Sequence, residues 1–159
     1  MSARLLLFGL LGLALGACGT DANVLSGSIM GAYGGLPFVK VEVLRQEMQG
    51  KVEAMHVRYV DDKGGIQVHV IAKAPVVEGQ EKDLLKDGGL QRDVAVGTGK
   101  DSDFPEMKSG RFIFDTLGDV GSLAVGHFWI TFKANPSSGL TVENTLNGDF
   151  SAPLQLQKL

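Results

Sequence analysis

Four side chains in this sequence have the chemistry of nucleophiles, bases or metal ligands: Cys18, His56, His69 and His127. They are its single cysteine and its three histidines. Cys18 has no partner for a disulfide, so its sulfur is left to other chemistry, such as carrying a thioether. His56 and His69 fall on two runs of strand-like alternation that can pair. Two imidazoles on neighbouring strands make half of a metal site and need a carboxylate to complete it. No acid stands at a fixed spacing from them, so they read as polar positions on a solvent-facing sheet. His127 adjoins an apolar run and can act as a base only if a nucleophile faces it. No Gly-x-Ser-x-Gly elbow or His-Glu-x-x-His segment supplies one. Gly97-Thr98-Gly99-Lys100 misses the phosphate-loop pattern, because Val94 stands where its first glycine belongs and Asp101 follows the lysine. Asp101-Ser102-Asp103 begins like a calcium loop, but Phe104 and Pro105 break the ligand spacing. The expectation is a protein with no catalytic residues, no bound metal and no cofactor.

The segment before Cys18 has the three parts of an export signal. Arg4 is its positive head, Leu5 to Leu15 form an apolar run interrupted by Gly9 and Gly12, and small Gly16 and Ala17 precede the cysteine. The run is shorter than the roughly 20 residues of a membrane span. Leu15-Gly16-Ala17-Cys18 resembles the lipobox of bacterial lipoproteins. The resemblance implies that residues 1–17 are removed and that Cys18 becomes a lipidated N-terminus bearing acyl chains such as palmitate. Each buried methylene contributes about 0.8 kcal/mol, so two or three chains hold durably where one holds weakly. Gly19 rather than Asp follows the cysteine, which in a Gram-negative source fits passage to the outer membrane.

About 142 residues remain after such processing, a common size for one domain. A chain of that length buries enough surface to fold without disulfides. The net charge of −3 is mild and dispersed, and no Lys/Arg cluster offers a surface for phosphates, so nucleic acid is excluded as a partner. Many of the 22 glycines come in pairs, Gly34-Gly35, Gly64-Gly65 and Gly88-Gly89, as turns between strands do.

The elements that must position these residues are strands. A first strand and a glycine-rich turn span Leu25 to Gly35, and Phe38 to Arg45 alternates with period two. Ala54–Val60 and Ile66–Ala72 flank Asp61-Asp62-Lys63-Gly64-Gly65 as a hairpin. A four-residue loop at 62–65 pairs Asp61 with Ile66 and Tyr59 with Val68. That register puts Met55, Val57, Tyr59, Val68 and Val70 on one face, and His56, Arg58, Val60, Gln67, His69 and Ile71 on the other. Glu81–Lys86 reads as a helical turn stopped by Asp87-Gly88-Gly89, Val94 and Val96 as a short strand, and 97–110 as a surface loop. Arg111–Thr116 sends Phe112 and Phe114 to one side. In Leu123–Lys133, Phe128, Ile130 and Phe132 share a face, and His127, Trp129, Thr131 and Lys133 share the opposite one. The C-terminal apolar positions keep one parity from Leu140 to Leu154. Either two strands with a bend near Glu143–Thr145 or a tight turn at Asn147-Gly148 accounts for it.

Seven to eight short strands with little helix predict an all-β fold, an antiparallel sandwich or barrel, after an N-terminal signal helix. Trp129, flanked by His127 and Thr131, is then an outward aromatic suited to a protein, glycan or lipid partner, unless its strand is buried on both faces. The layout as a whole resembles the small lipoproteins of bacteria with large genomes, myxobacteria especially. Leu15-Gly16-Ala17-Cys18, Leu25-Ser26-Gly27-Ser28 and the closing Leu146-Asn147-Gly148-Asp149-Phe150-Ser151-Ala152 carry that resemblance. It implies a signal peptide (1–17), a lipidated cysteine with a short tether (18–26) and one β domain (27–159) at the cell envelope. The expected role is non-catalytic binding or scaffolding next to a membrane; the alternative is a lipocalin-like carrier of a small apolar ligand.

Overall fold

The computed structural model describes residues 23–94 and 104–158. Cys18 and its leader, Val96, Gly97-Thr98-Gly99-Lys100 and Asp101-Ser102-Asp103 lie outside them. Along the chain come β1 (Val24–Ser26), a 3₁₀ turn (Ser28–Tyr33), β2 (Lys40–Met48), β3 (Lys51–Val60) and β4 (Ile66–Lys73). There follow β5 (Lys82–Asp83), α1 (Leu84–Asp87), β6 (Gly88–Asp93), β7 (Met107–Thr116), β8 (Leu123–Phe132) and β9 (Asn144–Lys158). The strands join in the order β5-β7-β8-β9-β2-β3-β4-β6, with β1 added on β9. The sheet curls into a nearly closed barrel. Among the described residues the paired strands are antiparallel except β2 with β9, which run parallel from Val43↔Leu154 to Glu47↔Lys158.

The seam is closed by one short stretch. Lys82-Asp83 pairs with Phe112 and Arg111 of β7, and five residues later Gly88 pairs with Ala72 of β4. Between them the turn α1, capped by the Asp83 carboxylate accepting from the Leu85 N–H, drops a fully buried Leu84 into the gap. The backbone there leaves room for nothing larger. A Cβ on Gly110 would stand 3.0 Å from Leu84 Cβ, and one on Gly88 would stand 2.2 Å from the Ile71 carbonyl oxygen.

Alternation along each strand fills the barrel axis. Tyr59, Phe112, Phe114, Phe128 and Phe150 meet inside it in edge-on and stacked pairs 4.9 to 6.1 Å apart. The face assignments read from alternation hold in β7, β8 and the inner side of the β3–β4 hairpin. The hairpin loop differs. Tyr59 faces Val68 as expected, but Val60, not Asp61, faces Ile66, and Gln67 is bulged. The Asp61 carboxylate is occupied by the Lys63 and Gly65 N–H groups and by Gln67 Nε2, so it organises the loop instead of continuing the ladder.

Three other local expectations are corrected. β9 is one 15-residue strand, so Asn147-Gly148 is no turn. It runs unbroken because Gly148 is needed inside a strand: a Cβ there would lie 2.4 Å from the Phe128 ring and 2.8 Å from the Tyr59 hydroxyl. The short strand expected at Val94 lies earlier, since β6 ends at Asp93. The polar stretch before Arg111 is already strand from Met107, held by the ladder to β8.

Candidate functional site

Three places bring polar or apolar groups together in ways the fold itself does not require. The first is the outer wall of β7, β8 and β9, where His127, Trp129 and Thr131 project. Trp129 is 38 % exposed, so β8 is covered on its inner face alone. Arg111 and Asn147 flank it across the sheet, and the His127 ring stacks on it with centroids 5.5 Å apart. His127 Nδ1 lies 3.0 Å from Asp115 Oδ2. A carboxylate that orients an imidazole is half of a proton-transfer site. Here the pair sits on a convex, open wall, and among the described residues no hydroxyl is bonded to the histidine.

The second is the histidine pair. His56 and His69 are 7 % and 8 % exposed, although both are on the outward face. The expectation of solvent-facing positions is therefore corrected. The reason is local: Leu44, opposite His56 on β2, is itself buried, and Gln46 and Arg58 close over the rings. His56 Nδ1 and His69 Nε2 are 2.8 Å apart, and His56 Nε2 donates to Gln46 Oε1 at 2.5 Å. Arg58 Nε donates to His69 Nε2 at 3.5 Å, the same nitrogen that faces His56 Nδ1. Burial first, then the Arg58 cation, lowers the His56 pKa. Burial, Arg58 and then His56 push His69 down to about 4. Among the described residues no group of three histidine, cysteine or acidic side chains is arranged to hold a metal ion.

The third place was not expected from the sequence. At one end of the barrel the mouth stays open as an apolar cleft of about 430 Å³, lined by Arg45, Val52, Met55, Ala74, Pro75, Val76 and Leu117. Met55, buried and inward, is its floor. Arg45 faces Met55 across the β2–β3 ladder, so alternation turns it inward too. Its guanidinium Nε is buried without a hydrogen bond and has the Glu47 carboxylate 3.4 Å away. Around this mouth Met48, Val52, Val77, Val120, Leu123 and Leu156 are exposed. They come from the β2–β3 hairpin tip, the loop after β4, the loop before β8 with the first residue of β8, and the end of β9. The far end exposes only Val39 and Val142 of that class among the described residues.

The chain enters the barrel pointing the same way. β1 runs antiparallel to β9, with Ser26 opposite Asn147 and Val24 opposite Asp149, and the Asn23 side chain accepts from the Ser151 N–H. Going back from Ser26 to Asn23 therefore leads along β9 in the direction of Leu154 and the apolar mouth. Among the described residues no helix is long and apolar enough to cross a membrane. No family model, curated protein or solved structure matches the chain.

The cleft escaped sequence reasoning because it is made by short pieces of four segments, β2, β3, the loop after β4 and the loop after β7. The inward parity of Arg45 with Val41 and Val43 was a usable signal: a cation on the core face of an otherwise apolar strand marks a barrel mouth.

Proposed function

We propose that the chain is a lipid-anchored, non-catalytic binding barrel of the cell envelope, held through Cys18 with its apolar mouth toward the bilayer. The observation that carries this reading is directional. The backbone leading back from Val24 to Asn23 heads for the end of the barrel where the exposed apolar side chains gather. Four residues lie between Cys18 and Asn23, so an acylated cysteine would bring that rim to the membrane surface. Rimmed apolar patches of this kind mark membrane or partner contacts. Gly19 after the cysteine supports the outer membrane as the destination in a Gram-negative cell. The test is fractionation of cells producing wild type and Cys18→Ser. Wild type should partition into detergent with the membranes, and the variant should be released or left unprocessed. A variant that is processed normally and stays with the membrane sinks the proposal.

The carrier reading is favoured by one specific observation, the cleft. Rings fill the barrel axis, so a ligand's place is the mouth and not a central cavity as in a lipocalin-like barrel. Its volume falls within the roughly 300–1,000 Å³ of small-molecule sites.

A further inference from the structure

We infer that the mouth cleft binds a single-chain amphiphile with a carboxylate head, a long-chain fatty acid, with Arg45 as the headgroup ligand. The inference deepens the carrier reading and rests on it, not on the lipid anchor.

Three features of the cleft lead there. Its walls are apolar along their length: Val52, Met55, Val76, Pro75 and Leu117 offer no hydrogen-bonding side chain to a polar ligand. Arg45 is the one charged residue in the lining, and it points inward where an aliphatic residue would complete the wall. Among the described residues its guanidinium makes no hydrogen bond, although burial of its Nε demands one. Glu47 approaches from the Nε side at 3.4 Å and balances the charge without supplying that bond. An arginine so placed is suited to a carboxylate, which its planar fork grips with two parallel bonds. The size of the cleft selects among amphiphiles. About 430 Å³ takes one chain and not the two of a phospholipid. Exposed Val52, Val77 and Leu123 at the rim let a chain pass from a bilayer into the cleft without crossing a polar surface.

The test uses the processed, acylated protein in nanodiscs of neutral phosphatidylcholine, titrated with a fluorescent polyene fatty acid and displaced with palmitate. Saturable one-to-one binding above empty nanodiscs is expected. Arg45→Gln should weaken it by about tenfold or more, since a charge-assisted pair is lost, while hexadecanol should bind wild type and variant alike. Met55→Trp should block the cleft and abolish binding, and Trp129→Ala on the outer wall should not alter it. Each variant is first checked for an unchanged unfolding midpoint, and Arg45→Lys, which keeps the charge, should fall between. No saturable binding overturns the site and the carrier reading together. Binding that survives Met55→Trp overturns this site alone and leaves a carrier with its ligand elsewhere. Equal affinity in Arg45→Gln overturns the headgroup assignment. Displacement by phosphatidylglycerol in the nanodisc overturns the single-chain assignment in favour of a bilayer lipid.

Discussion

Gly148 shows how tightly single residues are specified here. It lies mid-strand, where glycine costs conformational entropy, and it is there because the Phe128 ring and the Tyr59 hydroxyl occupy the space of a side chain. Tyr59 donates from that hydroxyl to the Asp149 carbonyl at 2.8 Å, which fixes the ring against β9. Gly148→Ala should therefore lower stability by about 1–3 kcal/mol through overpacking, read as a fall in the urea midpoint with m unchanged. An unaltered midpoint would mean that the rings give way freely. The histidine pair makes a second residue-scale prediction. Both folded-state pKa values lie below 6.5, so the unfolded chain binds protons first as pH falls. The histidine contribution to stability should be level above about pH 6.5, decline from there toward pH 4, and level off again below. The loss should be on the order of 1–2 kcal/mol, discounted for partial solvent access. Asp61, held low first by the Gln67 hydrogen bond and then by the Gly65 N–H, is shifted in the same direction and acts in a more acidic window. Its stabilisation is present above its unfolded pKa and is lost as pH falls through the folded one. In His69→Gln the slope between pH 6.5 and 4 should shrink, and a slope identical to wild type would remove the assignment.

At the scale of elements, Leu84 is the latch of the barrel. The four-residue turn that carries it is too short to be stable alone and exists because it bridges β7 to β4. Leu84→Ala should cost about 2–5 kcal/mol as a buried truncation, and hydrogen exchange should quicken in β5 and β6 before β2 or β3. Uniform quickening would show that the seam is no weaker than the rest. This closure was not legible in the sequence, where Glu81–Lys86 reads as an isolated helical turn. What was legible were elements with a strict period of two: β7, β8 and the inner face of the hairpin. In them burial of one face fixes the register. Legibility failed where a residue served a distant neighbour. Gly148 makes room for Phe128, Asp61 binds its own loop, and Arg45 owes its setting to Val76 and Leu117, far along the chain. Trp129 and His127 were readable as outward side chains; their stacking, and the Asp115 partner, depend on the pairing of β7 with β8.

At the scale of the whole molecule, the two ends of the barrel differ. Six of the exposed large apolar side chains surround the open mouth, and the entering backbone leads toward them. The rim also carries Lys51, Lys73, Glu53, Glu78 and Asp119, all exposed or part of exposed loops. Both signs of charge at one level suit the headgroup region and oppose deep insertion into the hydrocarbon. The acylated protein should therefore rest on the bilayer by its mouth, with the Trp129 wall standing sideways and open to a second partner. Hydrogen exchange on the anchored protein tests this. In nanodiscs, relative to detergent-free Cys18→Ser protein, amides at 48–52 and 119–123 should slow, while those around Val39 and Val142 keep their rates. Replacing Val120 and Leu123 together with Asp should abolish that protection without releasing the protein, because the acyl chains still hold it. Protection at the opposite end would reverse the orientation, and the cleft would then draw its ligand from the aqueous side.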